Sequence, residues 1–244
     1  KVEFLPAITF TGQICLLFLA GLLNLLSIAT IGIFLLGLLL TFISLKEHEN
    51  YHDFFCSGYL FFIAACLYFL ILFKGQVFKS YDNFSHWALV VKQMLLTNRF
   101  PTWKDSIILF QSYPLGSSVF IYYVCRIISP ISEGCQMFAQ TMLSISMILP
   151  LFSYAKKNKI TNTILVIGSA VFLLSFNIAP NSLLVDTLLP LVGISGFLLL
   201  EEELSKEKKT TWCVIPLAIS VSLIKNSGVF FWALMAAKIL FFWI

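Results

Sequence analysis

The chain has 244 residues, 59% of them hydrophobic and 11% charged, with a mean hydropathy of +0.92. A soluble domain carries about 25% charged residues, so this chain has too little polar surface to cover a water-soluble globule, and disordered, collagenous and disulfide-framework classes fall with the same numbers. The net charge of +4 is scattered over a few loops rather than gathered in a Lys/Arg stripe with interleaved aromatics, which sets nucleic acid aside as a partner.

Lipid is therefore the expected solvent, and the predicted class is an all-α polytopic membrane bundle of about eight spans. It forms a single transmembrane domain over 1–244. The chain starts at Lys1 and stops at Ile244 inside an apolar run, which points to a piece of a longer protein. Residues 5–45 carry no charge over 41 positions, roughly twice a bilayer core at about 1.5 Å per residue, so they predict a helical hairpin. Its turn is expected near 27–32, where Ser, Thr and Gly cluster.

A loop at 46–53 follows, then a third span at 54–73. His48 and His52 in that loop have i, i+4 spacing with acids around them, but no third metal ligand is fixed and a solvated loop is the simpler reading. Further spans are predicted at 134–154, 160–179 and 183–200, with a turn at 180–182. The charged loop 201–210 comes next, and two short spans within 212–244 break at 225–228. The six Cys show no CxxC spacing and read as small apolar filler.

Short Lys/Arg-rich loops stay cytoplasmic. Placing 156–159, 201–210 and 46–53 inside puts the turns at 180–182 and 225–228 outside. The connection 74–133 then begins and ends outside as an external loop, so its apolar segment 114–132 is expected to lie along the membrane surface rather than cross it.

That connection holds most of the chemistry. At about 100° per residue, Phe84, Trp87, Ala88, Val91, Met94 and Leu95 form an apolar arc, whereas Asp82, His86, Gln93 and Thr97 share the opposite face. Asp82 is either a helix N-cap or an acid beside an imidazole at an interface of reduced dielectric, able to take a proton. Arg99, Lys104 and the helix start at Tyr113-Pro114 suit a phosphate, and Arg126 is able to join them. Asp186, four residues beyond Ser182 near the outer end of a span, and Lys225, in an external turn, point to the same compartment.

The order of these features resembles the GT-C superfamily of integral-membrane glycosyltransferases that use polyprenyl-phosphate-linked sugars. The resemblance rests on Tyr81-Asp82-Asn83-Phe84-Ser85-His86-Trp87 just outside an early span, an amphipathic interface helix, Tyr113-Pro114-Leu115-Gly116, and Asp186 in Leu183-Leu184-Val185-Asp186; it covers roughly 54–200. Two departures stand out: Asn83 occupies a position where many members have a second acid, and a single Pro114 stands where many have two.

The resemblance implies that Asp82 activates the acceptor hydroxyl, with His86 assisting. Basic residues, Arg99 and Lys225 among them, hold the lipid phosphate, and Asp186 orients acceptor or sugar. The implied partners are a polyprenyl-phosphate sugar donor, a glycan, lipid or protein acceptor, and the lipid bilayer of a cell membrane. The resemblance fixes no cofactor, and a divalent metal is left open. The competing readings are a transporter or flippase for a lipid-linked or anionic sugar, which moves substrate without bond cleavage, and a scaffold subunit indifferent to its acids.

Overall fold

Long apolar runs leave the backbone no solvent for its N–H and C=O groups, and a helix satisfies those groups within the segment. In the computed structural model, which describes residues 1–47, 55–105, 107–108, 110–128, 132–155, 158–175, 182–205 and 212–243, the described residues form ten α-helices and no strand. The first three are α1 (Leu5–Leu22), α2 (Leu26–Glu47) and α3 (Ser57–Leu72). α4 (Ala88–Thr97) and α5 (Gly116–Ile128) lie in the long connection, and α6 (Glu133–Ile148) follows. The remainder are α7 (Lys159–Ser175), α8 (Leu188–Leu204), α9 (Ile215–Ile224) and α10 (Val229–Trp243).

Among the described residues, three stretches are long and apolar enough to cross a membrane: Val2–Leu22, Leu26–Ser44 and Glu133–Tyr154. The all-helical class is as expected, and the number of about eight spans is not established by these lengths. The other apolar helices run 10 to 17 residues, and 16 residues at about 1.5 Å each reach about 24 Å against a hydrocarbon core of about 30 Å. The first hairpin turns at residues 23–25, earlier than expected, where Asn24 takes a left-handed φ of 57° and the N–H of Leu25 bonds the Ala20 carbonyl at 2.8 Å. Asn is one of the few residues that adopts this conformation at small cost, and the Ser/Thr/Gly cluster instead continues into α2.

α6 is the central column. Fourteen of its residues are buried, and it packs against α1, α3, α5 and α8. Ser132 caps it by accepting the Cys135 N–H at 3.2 Å. By contrast α2 touches mainly α1 and leaves a long row of Leu, Ile and Phe side chains exposed.

Hydrogen bonds and ion pairs sort the helix ends into two groups. At one end Lys1 pairs with Glu202 at 2.8 Å, Tyr59 donates to the Val2 carbonyl at 3.1 Å, and Ser57 donates to Asn162 at 2.8 Å. At the other, the Leu183 N–H donates to Asn83 at 2.9 Å, Lys225 pairs with Asp186 at 2.6 Å, and Asn226 donates to the Ser112 carbonyl at 3.4 Å. α5 is tucked into the bundle instead of lying against its outside, with nine of its thirteen residues buried. Gly116 starts α5 hard against α9, where a Cβ would sit 2.5 Å from the Leu223 carbonyl oxygen, so only glycine permits this approach.

Candidate functional site

Tyr81 and Asp82 are helical, Asn83–Trp87 make a π-turn, and α4 continues from Ala88. The wider turn breaks the 100° register on which the sequence wheel relied, and such turns occur frequently at functional sites. Phe84, expected on the apolar arc, is 57% exposed, whereas His86, expected beside Asp82 on the polar face, is 3% exposed. Asp82 is already helical at φ −63°, ψ −28° and its side chain makes no capping bond, so the N-cap alternative is not realised and its carboxylate stands exposed. Asn83, fully buried, uses its side-chain oxygen to hold the Leu183 N–H.

Two of the cavities that flank this rod hold candidate site residues. The first, about 230 Å³, is lined by His86 together with Thr102, Trp103, Phe110, Gln111 and Tyr113. The imidazole meets the rings of Trp87, Phe110 and Tyr113 edge-on at 4.9, 5.7 and 5.1 Å between centroids. Burial holds its pKa below the ordinary histidine value, and its Nδ1 is buried without a hydrogen-bond partner.

A clasp fixes the wall of this cavity. Arg99 donates twice to Asp105, at 2.9 and 3.1 Å, and Asp105 also accepts from Gln93 at 2.9 Å and from the Thr102 N–H and hydroxyl at 2.6 and 3.0 Å. The Arg99 guanidinium and the Thr102 N–H hold the Asp105 carboxyl well below the usual carboxylate range. Arg99, expected as a phosphate ligand, is therefore engaged by an acid of its own loop. Lys104 points over the Trp103 ring at 5.4 Å. The clasp begins where α4 ends: Asn98 takes a left-handed φ of 53° and accepts the Tyr122 hydroxyl at 2.7 Å.

The second cavity, about 330 Å³, is lined by Phe78, Phe84, Lys92, Arg126, Glu133 and Gln136 among others. Glu133 accepts the Phe78 N–H at 2.6 Å, which pins the chain after α3. Arg126 thus stands with Lys92, outside the lining of the His86 cavity. Gln136 and Gln140, one turn apart on α6, each bury a side-chain oxygen with no partner, while Gln140 donates to the Leu184 carbonyl at 2.9 Å. Sequence reading passed over both; the available signal was a pair of glutamines at i, i+4 inside an apolar span.

Asp186 is exposed in a turn that precedes α8 instead of lying within the helix, at the end of a segment whose Leu183 and Val185 are buried. Its partner is Lys225, extended at the end of α9. The structure therefore joins Asp186 with Lys225 and His86 with Tyr113, and links their segments through Asn83 and Leu183. His48 and His52 lie outside the described residues. Among the described residues, no three of His, Cys, Asp and Glu gather into a metal-sized cluster, and the Asn83 oxygen beside Asp82 is committed to Leu183. Comparison with family models, curated proteins and solved structures found no match.

Proposed function

We propose that this chain is a multi-pass membrane glycosyltransferase of the GT-C type, or a portion of one, which transfers a sugar from a polyprenyl-phosphate carrier to an envelope acceptor on the outer face. What carries the reading is the exposed Asp82 carboxylate, free of any capping bond, just before a π-turn whose first residue, Asn83, is bonded to the segment leading to Asp186 and its partner Lys225. The multi-pass arrangement is supported by the sorting of helix ends: loops that charge parity assigns to one side of a membrane belong to one end of the bundle.

In this reading Asp82 accepts the proton of the acceptor hydroxyl as the oxygen attacks the anomeric carbon. The bond from that carbon to the phosphate oxygen breaks, and the carrier leaves as polyprenyl phosphate, whose negative charge grows in the transition state. Lys92 and Arg126, which share an apolar-walled cavity, and Lys225 are the cations free of the Arg99 clasp that supply stabilisation. Asp186 orients Lys225.

General-base catalysis is worth about 10² to 10⁴-fold, so Asp82→Asn is expected to reduce transfer by that factor with the fold intact. Mass spectrometry of polyprenyl-phosphate sugars in cells carrying the intact protein or Asp82→Ala tests this without a prior guess of the sugar. Accumulation of one glycolipid in the variant, with the matching glycan missing from the envelope, is expected. An unchanged lipid pool and envelope would remove Asp82 from any transfer reaction.

A further inference from the structure

We propose that the cavity beside His86 is a subsite for one uncharged sugar ring. The inference rests on the glycosyl-transfer reading for its biological setting and deepens it by assigning the carbohydrate to a place separate from the cationic cavity.

The lining decides the ligand class. Among the described residues no side chain lining this cavity carries a formal charge; Lys104 lies over the ring of the lining residue Trp103 at 5.4 Å, and the Arg99 and Asp105 charges are closed on each other behind Thr102. A phosphate or carboxylate would find no cation within the lining, only Lys104 beyond the Trp103 ring, and an ammonium group would find no carboxylate. A purely apolar guest would leave the buried His86 Nδ1 as unsatisfied as it is now. A ring with an apolar C–H face and several hydroxyls meets both demands. Its face packs on Trp103, Phe110 and Tyr113, and its hydroxyls meet the polar side chains of the lining, His86, Thr102 and Gln111.

A neutral imidazole carries one donor and one acceptor nitrogen, so Nδ1 in either tautomer finds a complement in a hydroxyl, which both donates and accepts. Burial keeps the imidazole in that neutral form. At about 230 Å³ the cavity falls below the 300–1,000 Å³ of drug-sized sites, which suits one ring and not an oligosaccharide. The wall is formed in advance, because five hydrogen bonds to the Asp105 carboxylate fix residues 99–105.

The test is a titration of the purified full chain with methyl glycosides of neutral hexoses and N-acetylhexosamines, against hexose phosphates and uronic acids, followed by tryptophan fluorescence and saturation-transfer NMR. At least one neutral glycoside should saturate while its charged counterpart binds at least about tenfold more weakly. Affinity should fall by about fivefold to tenfold in His86→Ala and be largely restored in His86→Gln. Trp103→Ala should weaken binding too; that side chain is 79% exposed, so its removal leaves the fold standing.

Absence of saturation by every neutral glycoside, or equal binding by Trp103→Ala and His86→Ala, would overturn the subsite. Glycoside binding by a chain whose Asp82→Ala variant leaves the lipid pool unchanged would retain the subsite and discard transfer. A changed pool with no glycoside bound would do the reverse. Competition in a transfer assay assigns the ring, since a donor-sugar mimic raises the KM for the carrier and an acceptor mimic raises the KM for the acceptor.

Discussion

The two cavities beside the Asp82 rod differ in chemistry although they share α4. One is lined by aromatic rings and an imidazole, with Arg99 and Asp105 closed into a pair beside it and Lys104 over the Trp103 ring; the other sets Lys92 and Arg126 among apolar side chains, with Glu133 engaged by the Phe78 N–H. In water this division would matter little, because solvent satisfies either kind of guest. At reduced dielectric an unpaired charge is costly and a paired one strongly held, so the same short helix is able to sort a neutral group to one side and an anion to the other. The difference also separates residues that the sequence alone had grouped. Arg99 and Arg126 look alike as basic positions of one loop, yet the first is structural and the second is open to a ligand.

The sharpest way to break this comparison is to remove the charges of the second cavity. Lys92→Ala combined with Arg126→Ala should cost at least about tenfold in affinity for a polyprenyl phosphate, since hydrogen bonds to charged groups are worth about 1.5–3 kcal/mol each. Neutral glycoside binding should be unchanged. Retained phosphate affinity in the double variant would move the anion elsewhere, with Lys225 the next cation to examine. The effect should shrink with added salt to the degree that these side chains are exposed.

A smaller effect, of opposite pattern, is expected from Arg99→Ala. Loss of the guanidinium leaves Asp105 with Gln93 and Thr102 alone, so residues 99–105 should exchange amide hydrogens faster and be cut sooner by protease. Glycoside affinity should drop a few-fold through lost preorganisation, while phosphate affinity stays where it was. A loss of phosphate affinity equal to that of the Lys92 and Arg126 pair would restore Arg99 to the role of ligand.

How much of this was legible in the sequence follows from what each feature depends on. Apolar runs depend on composition alone, and they located α1, α3, α6 and the break between α9 and α10 to within a few residues. Helical phase depends on an unbroken 3.6-residue period, and the π-turn at Asn83–Trp87 defeated it: Trp87, Ala88, Val91, Met94 and Leu95 are buried as expected, but Phe84 and His86 exchange sides. Asp186 was placed by counting from Ser182, and the later start of α8 moved it out of the helix. The pairing of Arg99 with Asp105 depends on a turn that no apolar pattern announces, and it rests on Asn98 turning the chain left-handed. What pairs across the chain, Asn83 with Leu183 or Asp186 with Lys225, was visible only as shared sidedness.

The finest distinction is one of pH. The Asp105 carboxyl is held low by Arg99, so the clasp is fully present above the ordinary carboxylate value and is lost only as pH falls through the depressed one, below about pH 4. His86 is lowered for a different reason, burial, which favours its neutral form in the fold. Its contribution is complete above the ordinary imidazole value of about 6.5 and is lost as pH falls from there through the lower folded value. The Asp105 charge, held low by Arg99, does not change within this window. Glycoside affinity should therefore stay flat from pH 8 past 6.5 and decline only as pH falls through the lowered folded value of His86, while the protease resistance of 99–105 stays constant down to about pH 4. In His86→Gln the decline should vanish. If affinity and loop protection fall together near pH 6, one event governs both, and the cavity would be closing as a whole instead of losing a single hydrogen-bonding group at its floor.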